Sequence, residues 1–112
     1  MTTVCFLRRG GETVGYDISG HTGAGIHGSD ILCAAVSSAA YLTANTITDV
    51  IGADAKVTVS GGRMKLNDSG ELDASTRAIL EGFRRHIAQL HEQKPDNIRI
   101  IQVNTGKEHY YA

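Results

Sequence analysis

Apolar and polar positions alternate from Thr13 to Ser19, which is the pattern of a half-buried β-strand, and Val4 and Phe6 alternate against Cys5 and Leu7 in an earlier stretch. Thr2 to Arg8 and Thr13 to Ser19 are therefore predicted strands. The turn Arg9-Gly10-Gly11-Glu12 lies between them, and paired glycines accept the positive φ of a tight turn, so the two strands form a hairpin. The same alternation around a second glycine pair predicts another hairpin, Lys56 to Ser60 with Arg63 to Leu66.

The first predicted helix runs from about Asp30 to Ile51, after a glycine-rich loop from Gly20 to Ser29. Ser29 or Asp30 can cap its free amides, and Gly52 can end it. Many alanines and serines in this stretch imply close packing of its backbone against the sheet. The apolar residues that approximate one helical stripe are Leu32, Val36, Ala39, Ala40, Ile47, Val50 and Ile51.

The second predicted helix runs from about Ala74 to Glu92, with Asp73 at its N-cap. Glu81 and Arg85 lie four residues apart in the orientation that favours an ion pair on a helix. The residues whose spacing predicts that they face the core are Ile79, Phe83, Ile87 and Leu90. This helix shows the clearer helical period of the two.

The last predicted strand, Asn97 to Val103, is apolar on both faces, which is typical of a strand in the centre of its sheet. The order of elements is then ββαββαβ, an α/β (α+β) fold in which two helices cover one mixed sheet. We expect a single domain over residues 1–112, with a core at about 3–103 and a C-terminal tail at 104–112.

Composition narrows the range of functions. A chain of 112 residues is too short for a dinucleotide fold built from two halves. The net charge of −1 and the scarcity of aromatic residues argue against direct nucleic-acid binding and against an anionic membrane as partner. The N-terminal stretch has no signal-peptide pattern, so the two cysteines are expected to be free thiols in a cytoplasmic protein.

The segment from Gly20 to Ser38 holds the residues with candidate chemistry. Cys33 is predicted about one turn into the first helix, where the helix dipole and free amides favour thiolate over thiol. His21, at the end of the preceding strand, can reach the helix start and act as proton acceptor and donor for that sulfur. Asp30, Cys33 and Ser37 share one helix face.

Each of these residues also has a plainer interpretation, and the sequence leaves the two open. A free cysteine near a helix start is often a small buried apolar residue, and a histidine after glycine is often a turn donor. Asp30 is equally well explained as a helix cap, and Ser37 as a small residue that allows close packing.

Two other kinds of site compete for the same loop. Gly23, Gly25 and Gly28 spell a dinucleotide-binding pattern, but a hairpin follows the helix instead of the required parallel strand. No Walker lysine follows these glycines. The histidines and Cys33 lack the paired short spacings of a zinc site. We therefore expect no metal and no cofactor, and keep a small nucleotide-binding domain as a lesser alternative.

The segment GHTGAG…GSDILCAAVSS resembles the ribosomal-processing cysteine protease family, Prp. Gly20, His21 and Gly23 match the G-H-x-G loop of the family, and eleven residues separate the histidine from the cysteine. The residues that match the helix motif of the family are Gly28, Asp30, Ile31, Cys33, Ala34, Ala35, Val36 and Ser37. The resemblance spans about residues 3 to 103.

This resemblance implies a cysteine endopeptidase that removes a short N-terminal extension from ribosomal large-subunit protein number twenty-seven. It implies Cys33 as nucleophile, His21 as general base and acid, and Asp30 and Ser37 as supporting residues. The substrate loop would include Gly20, Thr22, Gly23, Gly25 and Gly28. The resemblance also implies a homodimer, and cleavage after an apolar, aromatic-rich stretch of the substrate. The alternative from another class is a non-catalytic, ribosome-associated module that binds peptides.

Overall fold

The computed structural model of the protein describes residues 1–20 and 27–105, with the backbone alone for residues 27–30. Its strands and helices follow in the order β1 (Thr2–Arg9), β2 (Glu12–Ser19), α1 (His27–Asn45), a π-helical segment (Thr46–Ile51), β3 (Lys56–Ser60), β4 (Arg63–Asn67), α2 (Ala74–Gln93) and β5 (Ile98–Asn104). The predicted order ββαββαβ is confirmed.

The five strands form one mixed sheet in the order β3-β4-β2-β1-β5. β1 pairs antiparallel with β2, with Val4 opposite Ile18, and parallel with β5, with Val4 opposite Ile100. β4 pairs antiparallel with both β2 and β3. The sheet is therefore built from two hairpins, as predicted, with one parallel strand added at the end.

The predicted central position of the strand after the second helix is wrong. β5 lies at the edge of the sheet and pairs with β1 alone among the described strands. Its apolar residues lie on both faces of the sheet. Ile98 is buried under the helices, whereas Ile101 and Val103 are exposed on the opposite face. β5 also reaches Asn104, and the Thr105 N–H donates to the Arg8 carbonyl oxygen at 2.8 Å.

The core lies between the sheet and the two helices. Asp73 caps α2 as predicted, because its carboxylate accepts from the Thr76 N–H at 2.7 Å. Phe83 and Ile87 are buried as predicted, but Ile79 and Leu90 are only partly buried, and Leu80 is the fully buried residue beside them. The residues that β1, β2, β4, α1 and the π-helical segment add to this core include Val4, Phe6, Tyr16, Ile18, Leu66, Val36, Ala40 and Ile47.

α1 departs from its predicted start. It begins at His27, so Ser29 and Asp30 lie inside its first turn and are not its N-cap. Gly52 ends the segment as predicted, in the left-handed conformation at φ 79°, with its N–H donating to the Ile47 carbonyl oxygen. The π-helical turn before Gly52 changes the direction in which the side chains after it point. Val50, predicted to belong to the apolar stripe, is therefore exposed.

The helical stretch Ile31–Ile51 is, by length and composition alone, apolar enough to cross a membrane. The core helix of a globular protein passes the same criterion. Here Val36, Ala40, Ala44 and Ile47 are buried against the core. The Tyr16 hydroxyl also donates to the Ala40 carbonyl oxygen at 2.7 Å, so β2 holds this stretch on the sheet.

Candidate active site

Cys33 contacts the first strand of the sheet. Its side chain is half-buried on α1, and its Sγ lies 3.2 Å from the Thr2 Oγ1. Either atom of this pair can be the hydrogen-bond donor. Thr2 is 2% exposed, so the threonine side of this contact is shielded from solvent. The sulfur is therefore held at the point where β1 begins.

The surroundings of this contact are small and closely packed. A cavity of about 10 Å³, lined by Met1, Thr2, Leu32, Cys33 and Asn97, lies beside the sulfur. Such a volume is at or below the size that holds one water molecule. The Thr2 N–H donates to the Asn97 carbonyl oxygen at 2.9 Å, which fixes the backbone that carries the hydroxyl.

Gly20, the last described residue before the loop, reaches the same place. Its φ of +84° belongs to the left-handed region, and a β-carbon there would stand 2.8 Å from the Met1 carbonyl oxygen. β2 therefore ends against the start of β1, where Thr2 contacts Cys33. His21 is bonded to Gly20 and lies outside the described residues, as do Thr22, Gly23 and Gly25.

The other predicted site residues lie along α1. Gly28 and Asp30 belong to its first turn, and Ser37 follows Cys33 by one turn. Because α1 begins at His27, Cys33 lies nearly two turns into the helix, whereas the sequence predicted about one turn. The free amides of an α-helix are those of its first four residues, and the dipole effect fades beyond the first turn. Its influence on Cys33 is thus smaller than the sequence suggested.

A pocket of about 140 Å³ lies next to Ser37, between α1 and the β2–β4–β3 side of the sheet. Its lining is mainly apolar and comes from three strands and one helix: Ile18, Ser37, Ala40, Tyr41, Val59, Gly62, Arg63 and Met64. Ser37 lies four residues after Cys33, which is about 6 Å along a helix axis. The pocket therefore begins one helical turn from the sulfur.

The second cysteine lies in a different environment. Cys5 lines a larger, open groove of about 780 Å³ on the sheet face opposite the helices. Burial raises the pKa of its thiol, and the nearby Asp17 carboxylate raises it further. Asp17 itself accepts two hydrogen bonds from Arg63, at 2.9 and 2.6 Å, which lower the pKa of that carboxyl. These surroundings disfavour the thiolate form that a nucleophile needs.

Among residues 1–20 and 27–105, no group of three or more His, Cys, Asp or Glu side chains is placed to hold a metal ion.

Sequence reasoning missed two features of the site, Thr2 and the pocket beside Ser37. Thr2 and Cys33 are 31 residues apart in the chain, and a single threonine at the start of a strand carries no motif. The pocket draws its lining from separate elements, so only the packed structure brings those residues together.

A family model described as cysteine protease Prp matches residues 1–99. The comparison with curated proteins finds no match. Among solved structures, SMU.848 from Streptococcus mutans is 28% identical with a TM-score of 0.80, over 92% of this chain and 96% of that one. The ribosomal processing protease Prp from S. aureus in complex with a substrate peptide is 21% identical with a TM-score of 0.84, over 92% and 100%. A further S. aureus Prp structure holds a covalently linked product peptide, at 22% identity and a TM-score of 0.81 over the same shares.

Proposed function

The chain belongs to the cysteine protease Prp family, and from this premise we propose that it cleaves the N-terminal extension from ribosomal large-subunit protein number twenty-seven. It is a cysteine protease of the same fold as the S. aureus ribosomal processing protease. That enzyme is described with a substrate peptide and with a covalently linked product peptide. We therefore propose a ribosomal protein as the substrate of this chain as well.

We propose Cys33 as the nucleophile and His21 as its general base and acid. The observation that carries this assignment is the meeting of two elements at the start of β1. Gly20, which is bonded to His21, packs against Met1, and the Cys33 sulfur contacts Thr2, the next residue. Gly20 and Cys33 therefore meet the same short stretch of strand. A dyad needs this proximity.

In the proposed reaction, His21 accepts the thiol proton as the Cys33 sulfur bonds to the scissile carbonyl carbon. The carbon–nitrogen bond then breaks, and the imidazolium returns its proton to the departing amine. Water adds to the resulting thioester with His21 accepting its proton. When the carbon–sulfur bond breaks, the sulfur regains a proton and the carboxylic acid product leaves.

We assign supporting roles to Asp30 and Ser37 because α1 places them one turn before and one turn after Cys33. A carboxylate commonly orients a catalytic imidazole, and this is the role that we propose for Asp30. Ser37 lies at the pocket beside α1. Gly20, Thr22, Gly23 and Gly25 stay a predicted substrate loop, whereas Gly28, predicted in the same loop, lies in the first turn of α1.

The pocket beside Ser37 has the size and the apolar lining to bind an apolar side chain of the substrate. An apolar cavity of about 150 Å³ accommodates a benzene-sized group, and this pocket measures about 140 Å³. An extended peptide advances about 3.3 Å per residue. A pocket about 6 Å from the sulfur therefore lies level with a substrate residue one or two positions from the scissile bond. This agrees with a cleavage site that follows an apolar, aromatic-rich stretch.

We further propose a homodimer that forms through the outer side of α1. Ile31 and Leu42 are 74% and 65% exposed, and neighbouring exposed apolar side chains that form a patch mark protein–protein contacts. They are eleven residues apart, which places them within about 20° of each other around a helix. Tyr41 and Val50 extend this exposed apolar surface. A second copy of the chain would cover it.

The proposed substrate also supports a cytoplasmic location, since a ribosomal protein precursor is made there. Cys5 and Cys33 are both free thiols, which fits a reducing compartment. This location remains part of the proposal.

The substrate assignment is tested by incubating the purified protein with two synthetic peptides. One carries the N-terminal extension of the ribosomal protein, and the other has the same composition in scrambled order. We expect mass spectrometry to show one pair of fragments from the first peptide alone. Cleavage of both peptides alike would contradict the proposed substrate. Binding of the first peptide without fragments would contradict cleavage and favour the non-catalytic module.

A further inference from the structure

The hydroxyl group of Thr2 has one hydrogen-bond partner in the described structure, the Cys33 sulfur at 3.2 Å. Buried hydroxyl groups are almost always hydrogen-bonded, and Thr2 is 2% exposed. The adjoining cavity of about 10 Å³ leaves little room for a water molecule to replace either atom. The sulfur is thus the group that satisfies this hydroxyl.

The position of this hydroxyl is fixed from the strand side. The Thr2 N–H donates to the Asn97 carbonyl oxygen at 2.9 Å, and Thr2 is paired with Ile98 in the parallel β1–β5 ladder. Threonine is branched at its β-carbon, which restricts its χ1 rotation. Backbone pairing and rotamer preference together hold the oxygen at one point relative to α1.

A hydroxyl is suited to a sulfur that changes protonation state. It accepts a hydrogen bond from a thiol, and it donates one to a thiolate, so the contact persists through both forms. Donation to the charged form stabilises it. The other described residues around the sulfur are Met1, Leu32 and Asn97, whose side chains carry no charge, and Met1 also carries the N-terminal ammonium group. Thr2 supplies the one side-chain hydrogen bond that the described residues give to Cys33.

We propose that Thr2 is a positioning residue, which holds the Cys33 sulfur in place through a hydrogen bond that persists as the sulfur loses and regains its proton. The inference rests on the proposed role of Cys33 as nucleophile. It assigns a part in the reaction to the first strand, which lies outside the loop-and-helix segment that carries the motif.

The test compares Thr2→Val, which keeps the shape and removes the hydroxyl, with Thr2→Ser, which keeps the hydroxyl. Thr43→Val is the matched control, because Thr43 is also buried and its hydroxyl donates to the Ala39 carbonyl oxygen at 2.8 Å without contacting the sulfur. The measurement is the rate of alkylation of Cys33 by iodoacetamide between pH 5 and 10, read by peptide mass mapping. Cys5 in the same sample is an internal reference.

We expect Thr2→Val to lower the rate of Cys33 alkylation at pH 7 by about 10-fold, the effect of losing a hydrogen bond to a charged group. Thr2→Ser should restore most of the rate of the natural protein, and Thr43→Val should leave the rate unchanged. An unchanged rate in Thr2→Val, no recovery in Thr2→Ser, or the same loss in Thr43→Val would overturn the inference. Peptide cleavage by the natural protein, measured separately, reports on the proposed function, so the two failures are distinguishable.

Discussion

A β-carbon placed on Gly20 would stand 2.8 Å from the Met1 carbonyl oxygen, and Gly20 also has a φ of +84°. The end of β2 therefore approaches the start of β1 more closely than any residue with a side chain allows. This approach brings the residue before His21 to the strand that Cys33 contacts. We therefore expect the proposed dyad to depend on a glycine at this position.

We expect Gly20→Ala to lower both stability and peptide cleavage. Gly52→Ala is the control, because Gly52 has a similar φ of +79° but no atom within 4 Å of an added β-carbon. Both variants should lose about 1 kcal/mol of unfolding free energy from backbone strain, and Gly20→Ala about 1–2 kcal/mol more from the clash. Urea denaturation measures the stability, and peptide cleavage should fall in Gly20→Ala alone. Equal losses in the two variants would contradict the close approach as the cause.

Filling the pocket beside Ser37 should change the choice of substrate. Val59 lines this pocket at an exposed position, so Val59→Trp is expected to block it without disturbing the core. For a peptide with a large apolar residue before the cleavage site, kcat/KM should fall by about 10- to 100-fold, the usual worth of one apolar subsite.

Val57→Trp is the matched variant for this experiment, because Val57 lies on the same strand but outside the pocket lining. It should cleave the peptide at the normal rate. Alkylation of Cys33 by iodoacetamide should be the same in both variants. If Val57→Trp and Val59→Trp reduce kcat/KM alike, the pocket is not the subsite.

A charge on the outer side of α1 should separate the proposed dimer. Leu42→Glu places a carboxylate in the centre of the exposed apolar surface, where burial against a second copy would be costly. Light scattering coupled to size-exclusion chromatography should show a dimer for the natural protein and a monomer for this variant. Val103→Glu, on the opposite face of the sheet, should stay dimeric. Dissociation by Val103→Glu in place of Leu42→Glu would assign the dimer to the open sheet face.

Stability at acid pH should depend in part on Glu81. Hydrogen bonds from Arg84 and then Arg85 lower the pKa of this carboxyl from 4.5 to about 2. A lowered pKa in the folded state stabilises the protein above pH 4.5, and this contribution is lost as the pH falls toward 2. The pair is partly exposed to solvent, so its worth is at most about 1 kcal/mol.

The measurement is the urea midpoint of the natural protein and of Glu81→Gln at pH 7 and at pH 2. The variant should be less stable at pH 7, and the difference should shrink at pH 2. Glu92→Gln, an exposed position on the same helix, is the control and should differ little at either pH. A difference that persists unchanged at pH 2 would contradict an electrostatic origin.

The sequence predicted the elements whose pattern is local. The spacing of Phe83 and Ile87, with Asp73 before them, was sufficient to place α2, and glycine pairs were sufficient to place both hairpins. The predicted central position of β5 was wrong. A strand with one face under the helices and one exposed apolar face has the same sequence pattern as a strand buried on both faces. The start of α1 was predicted too late, because Ser29 and Asp30 are good caps that the backbone places inside the helix.

The candidate residues His21, Cys33, Asp30 and Ser37 lie within one continuous segment, so their spacing and the family resemblance were sufficient to nominate them. Their roles stay predictions. The contact of Thr2 with Cys33 depends on how α1 packs across the first strand, which no local pattern encodes. The same holds for the pocket, whose lining comes from four elements.

The central claim is that His21 and Cys33 act together as the catalytic dyad, and the initial rate of cleavage of the extended ribosomal peptide by variants tests it most directly. Cys33→Ala and His21→Ala should each lower that rate at least about 1,000-fold while circular dichroism shows an intact fold. Cys5→Ala, which removes the other thiol, should cleave at the normal rate. Full activity in Cys33→Ala or in His21→Ala would contradict the account.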